Sequence, residues 1–408
     1  MNDSHVLAGM RVIEASAFVA APSGGMTLAQ LGADVIRIDG LRGGLDRHRW
    51  PVTREGASLF WCGLNKGKRS VALDVTRPEG RELAVALVTR PGEDGGMLLT
   101  NLPPRGWLDF DQLSARRPDL IQVTLSGDRK GGSAVDYTIN PRLGLPFITG
   151  PVESEAPVNH VLPAWDLITG QTIAVGLLAA ERYRFRTGKG QHVRLSLEDV
   201  ALASMANLGF VAEAQLALRG ELEPRRRYGN DLFGAFGRDF ACRDGARVMV
   251  VGLTGKQWQV LCQATGLEGA MQEVAKRHGL DFSKEGDRFR GREDIATLLR
   301  EWFDQHALED VAQMFDKHGV CWGRYQTLEQ LVRDDASCSE ANPMFATVQQ
   351  AGVGEVLASG APLDFAAVAR LRAQPAPVLG AQTEEVLSEL LGIGQAEYGR
   401  LREASIAA

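Results

Sequence analysis

Apolar and polar positions fall into two periods along this chain, and the switches between them outline its organisation. "MRVIEAS" (10–16) is a short apolar run ending at polar residues and predicts a strand. "APSGGMTLAQLGA" follows as loop and helix, and "DVIRID" (34–39) predicts a second strand. That β–loop–α–β order predicts a parallel α/β sheet. "GMLLTN" (96–101) and "DLIQVTLSG" (119–127) predict further strands, and "RPEGRELAVALVTR" (77–90) is an amphipathic helix between strands. A long helix is expected from Asp166, small and apolar through Ala180, then charged, and ended by "TGKG" (187–190). "QHVRLSLEDVALASM" (191–205) reads as a strand leading into another helix.

The pattern shifts near 219–230. "RDFACRDGARVMVVGL" (238–253) predicts a hairpin, because Asp244-Gly245 is a favoured two-residue turn between apolar runs. Helical patterns follow at 255–266, 292–306 and 308–319, and "QTEEVLSELLGI" (382–393) is one more helix. The division expected is a larger α/β domain from residues 1–221 and 331–408, with a smaller α+β domain at 222–330.

The 408 residues are 44% hydrophobic and 24% charged with a net charge of -6, which fits a globular soluble protein. No long Lys/Arg block points to nucleic acid as a partner. "EPRRRYGN" (223–230) reads as a solvated loop, with anion binding the alternative. Cys62, Cys242, Cys262, Cys321 and Cys338 are scattered, with no CxxC or Cys/His metal spacing, so free thiols in a reducing cytoplasm are expected. The first residues lack the basic and apolar regions of a signal peptide. Asn207, Glu213 and Gln215 interrupt the apolar stretch 200–218, which reads as a core or interface helix rather than a membrane span.

Familiar catalytic motifs are missing. The first βαβ segment has no G-x-G-x-x-G, and "GLNKGKRS" (63–70) is one residue short of a P-loop, whose backbone nest depends on that spacing. No G-x-S-x-G elbow and no HxxxH or HExxH pair occurs. Arg37, Lys66, Lys68 and Arg69 lie beside predicted strand ends, where α/β sheets bind ligands and could meet a phosphorylated one, though from the residues alone ordinary surface charge is the favoured reading. Asp166, in "PAWDLITGQ" (163–171), is a lone acid among apolar neighbours at a helix start. As a helix cap it would contribute ~1 kcal/mol. As a nucleophile it is charged at neutral pH, since a free aspartate has a pKa of about 3.9. Its modest nucleophilicity is offset by enclosure beside an acyl group, where effective molarities reach about 10⁵–10⁸ M. His160, six residues before it, is either a site neighbour or a structural histidine.

From "LAGMRVIEASAFVAAP" (7–22) to "GVCWGRYQTLEQLV" (319–332), the chain resembles the family III CoA transferases, which include formyl-CoA transferase, carnitine CoA-transferase and α-methylacyl-CoA racemase. "LGADVIRID", "GLNKGKRSVALDVTRPEGREL" and "WDLITGQTIAVGLLAAERYRFRTGKGQHVRLSLEDVAL" carry the likeness in order. The resemblance implies a Rossmann-like large domain built from both chain ends, a smaller α+β domain, and an interlocked homodimer. It implies that Asp166 is the catalytic aspartate and that Arg37, Lys68, Arg69, Asn101, Leu102 and Arg105 hold CoA. Gly229, Gly234 and Gly237 fall where transferases carry a glycine-rich loop, here with the glycines spaced apart. Val135 replaces the racemase base ahead of Asp136, which argues against racemisation. Val19 stands where formyl-CoA transferases present a glutamine, so a small oxalate-like acceptor is poorly served.

"VNHVLPAWDLITGQ" and "RRRYGNDLFGAFGRDF" narrow the implied activity to internal transfer, with CoA moving between the C1 and C4 carboxyls of mesaconate through an aspartyl anhydride and an aspartyl-CoA thioester. Intermolecular transfer to a free acid and a non-catalytic CoA-binding role are the alternatives. Tyr137, Arg47 and His160 are candidates for the second carboxylate, and amides near the helix start for the oxyanion. An acyl-CoA is the expected partner, and no metal or redox cofactor is expected.

Overall fold

Six strands form one parallel sheet: β1 (Arg11–Ala15), β2 (Asp34–Asp39), β3 (Arg69–Ala72), β4 (Met97–Thr100), β5 (Ile121–Ser126) and β6 (Gln191–Ser196). Their spatial order is 3-2-1-4-5-6, and every pairing is parallel. This is the Rossmann order, in which the chain leaves β1 and β4 in opposite directions and opens a crevice at their carboxyl ends. β1 and β4 are buried along their full length, which is why they read as continuous apolar runs rather than alternating ones. The computed structural model describes residues 5–408.

Two helices fix that crevice. One runs Ala20–Gln30 directly after β1, and the other is the long Ala164–Thr187 helix. They cross at backbone contact because Gly24 meets Gly170. A Cβ on Gly24 would lie 2.8 Å from Cγ2 of Ile173 and 2.9 Å from the carbonyl oxygen of Gly170. The close approach brings the starts of both helices to the same end of the sheet. The long helix stops at Gly188, whose φ of 71° supplies the left-handed cap.

The C-terminal segment completes this sheet's core. Gln382 Oε1 accepts from the Ser70 amide, and Thr383 Oγ1 accepts from the Ala72 amide. Val386, Leu387 and Leu390 pack with Val71, Leu73 and Leu98. Leu73 also forms a β-bridge with Ala407. A hairpin of β10 (Phe345–Gln350) and β11 (Gly354–Ser359) precedes that segment.

The chain folds as two compact units, one of residues 1–143, 161–211 and 335–408, the other of 144–160 and 212–334. The second therefore starts earlier than 222, ends at 334, and takes in a segment from before Asp166. Arg227 gives the physical reason. Its guanidinium donates to the carbonyls of Pro146 (3.2 Å), Ala156 (3.0 Å) and Ser154, pinning 144–160 to this unit. The arginine run is thus not simply a solvated loop: Arg227 is buried and Arg225 pairs with Glu213 at 2.8 Å.

The second unit holds a three-stranded antiparallel sheet, β7 (Phe236–Ala241), β8 (Arg247–Gly252) and β9 (Cys321–Arg324), over a core that includes Phe240, Val250, Ile295, Phe303 and Phe315. The β7–β8 connection is longer than a two-residue turn. Gly245, at φ 82°, donates its amide to the Cys242 carbonyl at 2.9 Å, and the strands close outside it. The apolar stretch 200–218 becomes two helices, Leu197–Asn207 and Phe210–Leu218, bent by 69°. No single described helix is long and apolar enough to cross a membrane.

The helix crossing is testable. Gly24→Ala is expected to destabilise the protein by about 1–3 kcal/mol through overpacking, read as a lower urea midpoint. An unchanged midpoint would mean that the two helices can separate freely.

Candidate active site

A cleft of about 890 Å³ opens over the carboxyl ends of the parallel strands. Phe18 and Val19 after β1, Asn101 and Leu102 after β4, and Ser126 and Gly127 at the end of β5 line it. Asp166 lines it too. The cleft therefore includes the point where the strand order reverses, the usual ligand position in open α/β sheets.

Asp166 is the third residue of its helix and is half-buried. It is not the helix cap. Pro163 occupies that position, without a side-chain hydrogen bond. The capping work falls to Asp136, whose Oδ2 accepts from the amides of Trp165 at 2.8 Å and Asp166 at 3.4 Å. Trp165 is locked in turn, its indole N–H donating to Asn140 Oδ1 at 3.1 Å. Of the two roles open to Asp166 from sequence, capping is filled by another residue. Burial lifts the Asp166 carboxyl, the negative charge of Asp136 lifts it further, and Arg49 draws it back; the result is raised to about 7. A carboxylate raised this far remains substantially ionised at neutral pH and is more basic, hence more nucleophilic, than a free one.

Capping by Asp136 also corrects the oxyanion expectation. The Trp165 amide is spent on Asp136, and the Leu167 amide donates to Pro163 O at 3.1 Å. The first turn of the long helix is thus not free to hold an oxyanion. The starts of the Ala20–Gln30 and Leu197–Asn207 helices also reach the cleft lining, through Val19 and Ala20 and through Ser196 and Leu197.

Beneath the β1 loop lies a closed charge network. Arg37 is fully buried, donating to Asp39 (2.8 Å), Asn65 (2.9 Å), Asp46 (2.9 Å) and the Ser16 carbonyl (3.0 Å). Burial works against its charge, but Asp39, Glu14 and Asp46 outweigh burial and hold it above its ordinary value. Lys68 spends all three ammonium donors on Glu14 (2.8 Å), Pro22 O (2.8 Å) and Asn65 (2.9 Å). Burial pulls it down to about 8. Arg37 and Lys68, expected to hold CoA, are consumed internally and offer no donor to a ligand. Arg69 is partly buried and forked onto Asp34 at 2.9 and 2.6 Å, with Glu385 and Glu389 beside it.

The network shapes the cleft wall. Asp46 Oδ2 accepts from the Phe18 amide at 3.0 Å, and Asn101 clamps both backbone groups of Ala17 at 2.9 and 2.8 Å. Phe18 is held at φ 68°, a conformation that a side chain as large as phenylalanine rarely adopts. Asn101 thus acts by fixing the loop, while Leu102 lines the cleft directly. Arg105 is exposed beside Pro103 and Pro104. Val135, at the racemase base position, is exposed in the cleft lining, and Asp136 behind it is engaged in capping.

The residues suggested for a second carboxylate are dispersed. Tyr137 donates its hydroxyl to Val161 O at 2.7 Å. Arg47 lies over the Trp61 ring, 5.9 Å from its centroid, and does not line the cleft. His160 belongs to the second unit, as do Gly229 (φ 61°), Gly234 (φ 82°) and Gly237, the last inside β7. Several cleft residues escaped the sequence reading: Thr124, Arg129, Lys130, His192 and Arg194. His192 bonds Thr124 at 2.8 Å and accepts from Arg194 at 3.2 Å, and burial and then Arg194 lower its pKa. "GDRKGG" (127–132), directly after a predicted strand, was the available signal for the first basic pair.

The fold and cleft define an α/β protein that presents one carboxyl of raised pKa to a cleft at the carboxyl ends of its parallel strands. The chain belongs to CoA-transferase family III, whose model matches residues 7–383. It is 56% identical over 404 residues to 2-methylfumaryl-CoA isomerase of Chloroflexus aurantiacus, covering 99% of this chain and 98% of that protein. It is 28% identical over 405 residues to succinyl-CoA:mesaconate CoA-transferase of Haloarcula hispanica, covering 94% and 96%. Among solved structures, a CAIB/BAIF family protein from Brucella suis superposes with a TM-score of 0.74 at 25% identity, covering 95% of this chain and all of that one.

The raised Asp166 carboxyl sets two pH dependences. A nucleophilic role for Asp166 would need the ionised form, and on that role kcat/KM is expected to rise with pH through an inflection near 7. Asp136→Asn, which keeps a capping oxygen and removes the charge, should move that inflection down. For stability the sign is opposite. A carboxyl raised on folding favours the native state fully below its unfolded pKa, and that contribution is lost as pH rises through about 7. Asp166→Asn should therefore stabilise at pH 8 by about 1–2 kcal/mol, less than full linkage because solvent still reaches the group, and should not do so near pH 3. Denaturant midpoints at the two pH values check this.

Proposed function

We propose that this protein is an intramolecular CoA transferase that converts 2-methylfumaryl-CoA to 3-methylfumaryl-CoA. The observation that carries this reading is the 56% identity, across nearly the whole of both chains, to an isomerase of that name. The cleft chemistry is consistent with it.

The Asp166 carboxylate attacks the C1 thioester carbonyl, and the C–S bond breaks to leave a mixed anhydride and CoA thiolate. The thiolate attacks the aspartyl carbonyl of the anhydride. This releases mesaconate and leaves an aspartyl-CoA thioester. The C4 carboxylate of mesaconate attacks that thioester, and the same two steps in reverse place CoA on C4 and restore Asp166. Every step is acyl exchange between oxygen and sulfur, so no metal or redox cofactor is called for. Amides at the start of the Ala20–Gln30 helix are the donors we assign to the developing oxyanion. CoA would lie along the cleft with its phosphates toward Arg129 and Lys130. Arg69, Asn101, Leu102 and Arg105 contribute to its binding or to the walls that guide it.

We also infer a homodimer. Val161, Leu162, Val175 and Phe185 are exposed on and just before the long helix, an apolar set that a partner would cover. Sedimentation equilibrium should give twice the chain mass, and a monomer at micromolar concentration would refute this.

The central test uses 2-methylfumaryl-CoA with excess isotopically labelled mesaconate. Isomerisation without label in the product is expected. Label entering at the isomerisation rate would instead favour intermolecular transfer, the activity named for the 28% identical relative. Asp166→Ala should lower kcat by at least about 10³-fold and form no CoA–protein adduct by mass. An active Asp166→Ala variant would falsify the covalent route.

A further inference from the structure

Internal transfer demands that the same acyl group be held by its free carboxylate while the other end reacts. None of the three residues suggested by sequence meets this need, since Arg47 lies over Trp61, a buried ring outside the cleft lining, Tyr137 is bonded to Val161 O, and His160 belongs to the second unit. Arg49 is different. Its guanidinium carbon sits 4.7 Å from the Phe60 ring centroid and 5.9 Å from that of Phe18. Phe18 lines the cleft with Asp166. Arg49 is exposed and forms no ion pair within 4.0 Å with any described carboxylate. Its backbone is anchored on both sides, the amide to Asp46 O at 3.1 Å and the carbonyl to Ser58 Oγ at 2.5 Å. Two aromatic faces orient the planar fork, and its donors stay unspent.

The charge layout of the cleft supports a division of labour. Arg129 and Lys130 follow β5, whereas Phe18 follows β1, and β4 lies between those strands. Two strand spacings separate the two places by about 10 Å. Arg129 is already paired with Asp199 at 3.2 Å. Neither Arg129 nor Lys130 bears on the Asp166 carboxyl, while Arg49 does. A CoA monothioester of a dicarboxylic acid has anionic groups at both ends of a neutral thioester. Arg129 and Lys130 line the cleft on the β5 side, and Arg49, outside the lining itself, lies over the ring of the cleft residue Phe18 on the β1 side.

We propose that Arg49 receives the free carboxylate of the acyl group, selecting dicarboxylyl thioesters and retaining the released dicarboxylate between the two half-reactions. This deepens the function proposed above and rests on it for the identity of the acyl group. The assignment also explains the aromatic support. A carboxylate that must leave and return needs a partner that keeps its orientation while empty, and stacking on Phe18 and Phe60 supplies that with no described carboxylate paired to the guanidinium within 4.0 Å.

The test is a half-reaction that needs no isomerisation. Wild type, Arg49→Gln and Arg49→Lys are mixed with 2-methylfumaryl-CoA and, separately, with its C4 methyl ester, and formation of the aspartyl-CoA adduct is timed by protein mass. Wild type should prefer the charged thioester on the order of 10- to 100-fold. Arg49→Gln should bring that preference within about threefold by slowing only the charged substrate. Arg49→Lys, the variant to rely on if the glutamine form does not fold, should fall between the two. A glutamine variant that keeps the wild-type preference overturns the proposal, as does a wild type with no preference. If wild type forms the adduct selectively yet does not isomerise the substrate, the proposed function fails and the Arg49 assignment stands. If wild type forms no adduct from either thioester, both fall.

Discussion

One carboxylate, Asp136, makes the chemistry of another available. A helix that starts at Ala164 leaves amides without partners, and an acid near its start would ordinarily serve them. Asp136 reaches across from the start of an earlier helix, Asp136–Arg142, and takes the Trp165 and Asp166 amides. Asp166 is thereby relieved of local hydrogen bonding and left facing the cleft. The same residue adds its negative charge to burial in lifting the Asp166 carboxyl. Had Asp166 capped its own helix, the amides would have stabilised its anion and lowered its basicity. Removing that stabilisation and adding a like charge work in one direction.

A second constraint acts from below the sheet's carboxyl edge. Glu14, Asp39, Asp46, Arg37, Lys68 and Asn65 form a closed set of buried charges and an amide. Buried ion pairs of this kind contribute little net stability, because desolvation offsets attraction, but breaking one is costly. Their value here is geometric. Through Asp46 and the Ser16 carbonyl they hold the β1 loop with Phe18 in a left-handed conformation. That loop is one wall of the cleft, and its ring is half of the support under Arg49. Arg37 and Lys68, which sequence likeness assigns to the ligand, therefore support the cleft wall rather than line it.

Much of the parallel sheet was legible from sequence because β1, β2, β4 and β5 are buried along nearly their whole length. β2 spans the expected residues 34–39, and the helix expected at 77–90 is Pro78–Thr89. β3 was hidden by "KGKRS", where Lys68 and Arg69 look like surface charge and are instead satisfied by Glu14 and Asp34. Local pattern cannot report a partner 54 residues away. The β10–β11 hairpin went unread for the opposite reason, since "FATVQQAGVGEVLAS" is short, partly exposed and weakly alternating. Asp166 was legible as an odd acid in an apolar run. Whether it capped or reacted depended on Asp136, thirty residues away, and no window of sequence carries that information. Arg49 was passed over because its meaning lies in two rings, Phe18 and Phe60, that only the fold brings together.

A raised carboxyl also bears on the balance of the intermediates. In the mechanism proposed above an acyl group passes between a thiolate and a carboxylate, and the less basic partner is the better leaving group. An ordinary aspartate, with a pKa of about 3.9, would make an anhydride far more activated than a thioester, whose thiol has a pKa near 8.5. Acyl transfer from sulfur to oxygen would then be steeply uphill. Lifting Asp166 to about 7 narrows that gap from the carboxylate side. Forward and return transfers become more nearly matched, as a reaction whose two halves are mirror images requires. The limit is set by protonation, because a carboxyl raised much further would lose the charge it attacks with. Burial supplies most of the lift, the Asp136 charge adds to it, and the guanidinium of Arg49 restrains it, so the group stays near neutrality rather than above it.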